Sequence, residues 1–147
     1  MDKNTLLSLR LGFSGKQSQT IQKIGLNAFL EKSFMTKVDK SIPDFLDDSP
    51  KSLAELQSRR KEIKNNTSEQ TKELLKKEIQ VSNEMKDWWL EKMMNDDFPL
   101  REKMTCFWHN HFVSTYQKVK VNHWVFQHNQ LLREETFGNF KTLTKKA

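Results

Sequence analysis

All four histidines of the chain lie between residues 109 and 128, the one concentration of side chains that titrate near neutral pH. A helix opening at Pro99, with about 100° between successive residues, sets Leu100, Met104, Phe107, Trp108 and His111 on one stripe. That spacing predicts that His111 turns into the core. His109 falls about 160° away, on the opposite face with Glu102, Thr105 and Cys106. The next helix, read from about Val119 to Thr136, has Val121, Trp124, Val125, Leu131 and Leu132 as its apolar face and His128 in the middle of it. Antiparallel packing across the Ser114–Tyr116 connection would bring His111 and His128 together.

Three kinds of chemistry compete for such a pair. A divalent metal would take neutral imidazole nitrogens, with a carboxylate such as Glu135 orienting a ring. A general base would use one imidazole poised by burial. Packing alone would satisfy the rings with backbone groups or with Asn110 and Asn129. His-x-His suits a strand, whereas on a helix the two rings diverge, and neither a His-Glu-x-x-His nor a paired-cysteine pattern is present. Cys106, His109 and Glu102 are helical neighbours that would suit a metal or an activated thiol, or else form a solvated face.

The elements that hold these residues are helices punctuated by scarce Gly and Pro. Leu6 to Leu11 make a short helix stopped by Gly12. Ser18 offers an N-cap, and Gly25 divides two short pieces, the second built on Leu26, Phe29, Leu30 and Phe34. Pro43 and Pro50 bracket a loop, with Ser49-Pro50 as a helix start. A polar helix then runs from Ser52 to about Lys64, Asn65-Asn66 ends it, and Thr67 with Gln70 forms a capping box for a long helix to about Asn95. The two are expected to form a hairpin. In the long helix Trp88-Trp89 reads as core. The fold expected is all-α, an array of about six or seven helices.

With 35% hydrophobic and 30% charged residues in 147, the core is expected to be thin, partly compensated by four Trp and ten Phe. The net charge of +6 is spread rather than clustered, because Lys and Arg alternate with Glu from Lys51 to Lys86, which argues against nucleic acid as partner. One cysteine excludes an internal disulfide, no run is long enough to span a membrane, and no signal peptide is recognisable at the start.

Pro99-Leu100-Arg101-Glu102-Lys103-Met104 running into Phe107-Trp108-His109-Asn110-His111-Phe112, then Gln127-His128-Asn129, Leu132-Arg133 and Gly138-Asn139-Phe140, resemble the bacterial family called domain of unknown function 1800. Leu7 to Phe13 and Trp88-Trp89-Leu90 fit its N-terminal region. The resemblance implies a mostly helical protein of several hundred residues, often exported, in which residues 1–147 are the N-terminal part of a single larger domain, truncated at the C-terminus. It implies no activity. Its polar set here is His109, His111, Asn110, Glu102 and Arg133, and family members commonly carry Asn where His128 stands. Candidate catalytic residues are therefore His109, His111, Glu102 and Arg133, and candidate ligands for a divalent metal are His109, His111 and His128. Two functions stay open: a metal-dependent or hydrolytic enzyme centred on the Trp-His-Asn-His-Phe helix, and a non-catalytic binding or assembly module with a protein partner in the cell envelope.

Overall fold

The computed structural model describes residues 2–64 and 68–147, so the Asn65-Asn66 stop and the Thr67 capping box with Gln70 lie outside the described residues. Among the described residues the fold is all-helical, without strands. The α-helices are α1 (Lys3–Leu11), α2 (Ser18–Ile24), α3 (Leu26–Met35), α4 (Leu53–Lys64), α5 (Ser68–Asn95), α6 (Leu100–His111), α7 (Tyr116–Val119), α8 (Asn122–Glu135) and α9 (Phe140–Lys146), with a 3-10 turn at Asp44–Leu46.

These nine, counted among the described residues, exceed the six or seven expected, partly because Tyr116–Val119, read as connection and helix start, is a helix of its own. It ends at Lys120, whose φ of 65° is left-handed and whose N–H donates to Tyr116 O at 2.8 Å. α8 consequently opens at Asn122 instead of Val119. Two expected caps also move. Gln17, not Ser18, precedes α2, and its side chain binds elsewhere. Ser52, not Ser49-Pro50, opens α4, since its Oγ accepts from Glu55 N at 3.1 Å while Glu55 Oε2 accepts from Lys51 N at 2.9 Å.

The chain forms two compact units. The first comprises residues up to 40, 89–113 and 129–147. Its centre is Phe29, fully buried and 5.2 Å ring to ring from Phe98, with Ile21, Leu100, Leu132 and Leu143 also buried. α1 and α2 are pinned by Ser8, whose Oγ donates to Ser14 O at 2.7 Å and accepts from Gln17 N at 3.1 Å, and Gln17 in turn donates to Asp96 O. A Cβ at Gly12 would stand 2.6 Å from Pro99 Cγ, so the stop of α1 requires glycine for close approach to the start of α6.

The second unit comprises residues 41–88 and 114–128. Leu46, Met85, Val125 and Phe126 form its core, with Trp88 packed at 5.5 Å on Phe126. Glu78 on α5 is buried and accepts from Tyr116 Oη at 2.7 Å and Arg60 Nη2 at 3.1 Å, while its backbone carbonyl accepts from Asn122 Nδ2 at 2.9 Å. Four helices thus meet on one acid, and burial followed by the bond to Glu78 pushes the Tyr116 phenol above its ordinary range.

Gly25 holds φ 82° and ψ 159° between α2 and α3, a region that side-chain-bearing residues avoid, and a Cβ there would meet nothing within 4 Å. Gly25→Ala is therefore a pure backbone test, expected to lower the free energy of urea unfolding by about 1–3 kcal/mol. Gly15→Ala, whose Cβ would lie 3.6 Å from Thr5 Cγ2, is expected to change it by less than about 0.5 kcal/mol. Equal effects of the two would contradict the backbone assignment.

Candidate functional site

α6 carries most of the candidate residues, and its buried positions differ from those that hydrophobicity suggests. Its buried side chains are Leu100, Glu102 and Thr105, whereas Phe107 is 45% exposed and His111 stands in solvent. The reading of His111 as a core residue and of Glu102 as part of an outer face is corrected on both counts. Charge explains the inversion, because a carboxylate enters an interior when a cation is there to meet it.

That cation is Arg133 of α8. Its Nε donates to Glu102 Oε1 at 2.6 Å and its Nη2 to Oε2 at 3.0 Å, a bidentate pair in which Glu102 is 4% and Arg133 3% exposed. Trp89 Nε1 adds a third donor to Oε2 at 2.9 Å, and Arg133 Nη1 donates to Gln130 Oε1 at 3.0 Å. Trp89, expected as plain core, thus supplies a polar contact. These three donors engage three of the carboxylate's roughly four lone-pair sites.

One residue before Glu102, Arg101 does different work. Its Nε donates to Thr36 Oγ1 at 3.2 Å, its Nη2 to Thr36 O at 2.8 Å and its Nη1 to Arg133 O at 3.1 Å. All three acceptors are neutral, and Arg101 forms no ion pair among the described residues. The guanidinium lies over the Phe137 ring at 4.6 Å, and burial lowers its pKa, followed by opposing effects of Glu102 and Arg133. Arg101 tethers the segment after α3, and that segment is fixed again where Gln130 Nε2 donates to Asp39 O at 2.7 Å and Lys92 Nζ lies 3.4 Å from Asp39 Oδ2. Beneath it opens a cleft of about 280 Å³, walled by residues 36–39 and by Lys92, Asn95 and Asp96 at the end of α5, and floored by Arg101, Glu102 and Arg133.

The histidines do not make a buried pair. His111 Nδ1 lies 3.1 Å from the Phe107 carbonyl of its own helix, with its ring 4.5 Å from that of Phe107. His128, in the second unit, has Nδ1 2.9 Å from Ser114 Oγ. His109 is half-buried, edge-on to Trp89 at 5.2 Å. Glu135, read as a carboxylate for a metal-bound ring, pairs with Lys146 instead. Among the described residues no three His, Cys, Asp or Glu side chains are grouped to hold a metal.

The family model for proteins of unknown function DUF1800 matches residues 6–147. The chain belongs to this family. No curated protein and no solved structure matches it. The DUF1800 signature in this chain therefore has a structural reading, residue by residue. Glu102 and Arg133 are its buried ion pair with Arg101 part-buried beside them, and Asn139 is the N-cap of α9, accepting from Lys141 N at 2.9 Å. α9, expected to need packing partners, buries Leu143 and stacks Phe140 on Trp108 at 5.5 Å.

Sequence reasoning passed over Arg101, although it stands in the quoted motif, and over His123, buried with Nδ1 lacking a hydrogen-bond partner. Cys106 is not an activated thiol: burial first, then the Glu102 charge, pushes it up to about 11 from an ordinary 9.0. Alkylation by iodoacetamide at pH 7.5 is thus expected about a hundredfold slower than for a free thiol, before any loss from restricted access. A rate matching free cysteine would contradict the assignment.

Proposed function

We propose that this chain is a binding module of the DUF1800 family whose site is the cleft beside the N-terminal half of α6, taking a small ligand with an anionic group. The observation that carries this reading is Arg101, a part-buried guanidinium on the cleft floor whose three hydrogen bonds all go to neutral oxygens. A guanidinium has five N–H donors, so two remain for a ligand. Glu102 and Arg133 neutralise each other below and make the floor rigid, a supporting role more than a reactive one.

A hydrolytic or metal-dependent enzyme is the second reading, and the exposure of His111 is what favours it, since its imidazole is accessible to a substrate or ion. Exposed Phe107, Val113 and Phe140 support a contribution to assembly in the same region. The Arg60–Glu78 ion pair supports a helical hairpin of α4 and α5.

Titration of the chain with acetate, followed by the amide resonances of residues 36–39 and the Arg101 Nε–H, separates the readings. Saturable shifts confined to those groups, weakened severalfold in Arg101→Lys because the planar fork is lost, are expected. Absence of any localised shift would overturn the binding reading. Ester hydrolysis or stoichiometric metal that disappears in His111→Ala, with the helical circular dichroism intact, would establish the enzyme in its place.

A further inference from the structure

The cleft is lined by more than one kind of charge. Four cations, Lys37, Lys92, Arg101 and Arg133, face three anions, Asp39, Asp96 and Glu102. Two ion pairs, Arg133 with Glu102 and Lys92 with Asp39, take up two of each. What is left is Lys37 and Arg101 on one side and Asp96 on the other. Asp96 follows the last residue of α5, where the terminal carbonyls of a 28-residue helix add partial negative charge. Its Oδ1 accepts from Phe98 N at 2.8 Å, which holds the carboxylate in place and leaves Oδ2 available to a ligand.

A dianion such as phosphate would meet Arg101 and Lys37 but also lie against Asp96 and the α5 carbonyls, an arrangement that disfavours it. A simple carboxylate would use only half of the cleft. From this division of charge we infer that the ligand is a small zwitterion of the α-amino acid class, its carboxylate on Arg101 and Lys37 and its ammonium on Asp96 and the end of α5. Size agrees. A volume of about 280 Å³ is the space of about nine waters at ~30 Å³ each, enough for an amino acid and small for a nucleotide. Val38 is the one apolar residue lining it among the described residues, so the ligand's side chain is short or polar.

The inference rests on the binding reading above, and the test keeps the two apart. Glycine, acetate and inorganic phosphate are titrated separately into the whole chain at constant ionic strength, with the amide resonances of residues 36–39 as the readout. Glycine is expected to bind at least about tenfold more tightly than acetate, the worth of one added charge-assisted hydrogen bond, and phosphate to bind no better than acetate. Asp96→Asn, which retains an acceptor for Phe98 N, is expected to abolish the advantage of glycine, with acetate bound at least as tightly as by the unchanged protein. Lys37→Ala, at an exposed position, is expected to weaken both severalfold. Equal affinity for glycine and acetate, or preference for phosphate, would overturn the zwitterion while leaving anion binding intact. No binding of any of the three would overturn both.

Discussion

A carboxylate and a guanidinium buried together, Glu102 on α6 and Arg133 on α8, set the constraint on which the first unit depends. Removing two such charges from water costs several kcal/mol per ion, and the attraction between them compensates only when the geometry is close and the remaining donors and acceptors are filled. Both conditions are met. The pair is bidentate, Trp89 donates to the same carboxylate, and Gln130 accepts from the same guanidinium. An ion pair of this kind contributes less to net stability than to singling out one arrangement, because rotating α6 by even one position would strand a charge inside.

Two consequences follow for α6. With Glu102 directed inward, the stripe about 140–180° away, with Phe107 and His111, faces solvent, and the aromatic rings there find one another instead of a core: Trp108 with Phe140, Phe107 with His111. Arg101, next to Glu102 along the helix, is held at the edge of the buried pair, close enough to reach the Arg133 carbonyl and Thr36. Arg101 is one of three side chains, with Gln130 and Lys92, that tether the segment after α3 where the cleft opens. Of the two neighbours on α6, Glu102 is neutralised by Arg133, while Arg101 forms no ion pair among the described residues.

Much of the helical framework was legible in the sequence, and for local reasons. Gly12, Gly25 and Pro99 mark boundaries because backbone geometry is a property of single residues, and the family was readable from its ordered motifs. What misled was the assumption that apolar stripes face inward. α6 has a hydrophobic stripe, but the charge pair outweighs it, and its second half comes from a residue 31 positions further on. Arg101 was invisible as a site residue for the same reason, since its acceptors lie 65 and 32 positions away and two are backbone carbonyls, which carry no sequence signal. The link from Glu78 to Tyr116 and Asn122 is equally non-local. The expected burial of His111 failed once α6 was turned, because its ring is exposed.

A double-mutant cycle on the central ion pair tests this account most directly, with Glu102→Gln, Arg133→Gln and the double variant compared by urea unfolding. Each single change strands one buried charge and is expected to cost about 3–5 kcal/mol, while the double variant is expected to cost at least about 2 kcal/mol less than their sum. Additivity within about 0.5 kcal/mol would mean that the two side chains do not act as a unit, and that something else orients α6.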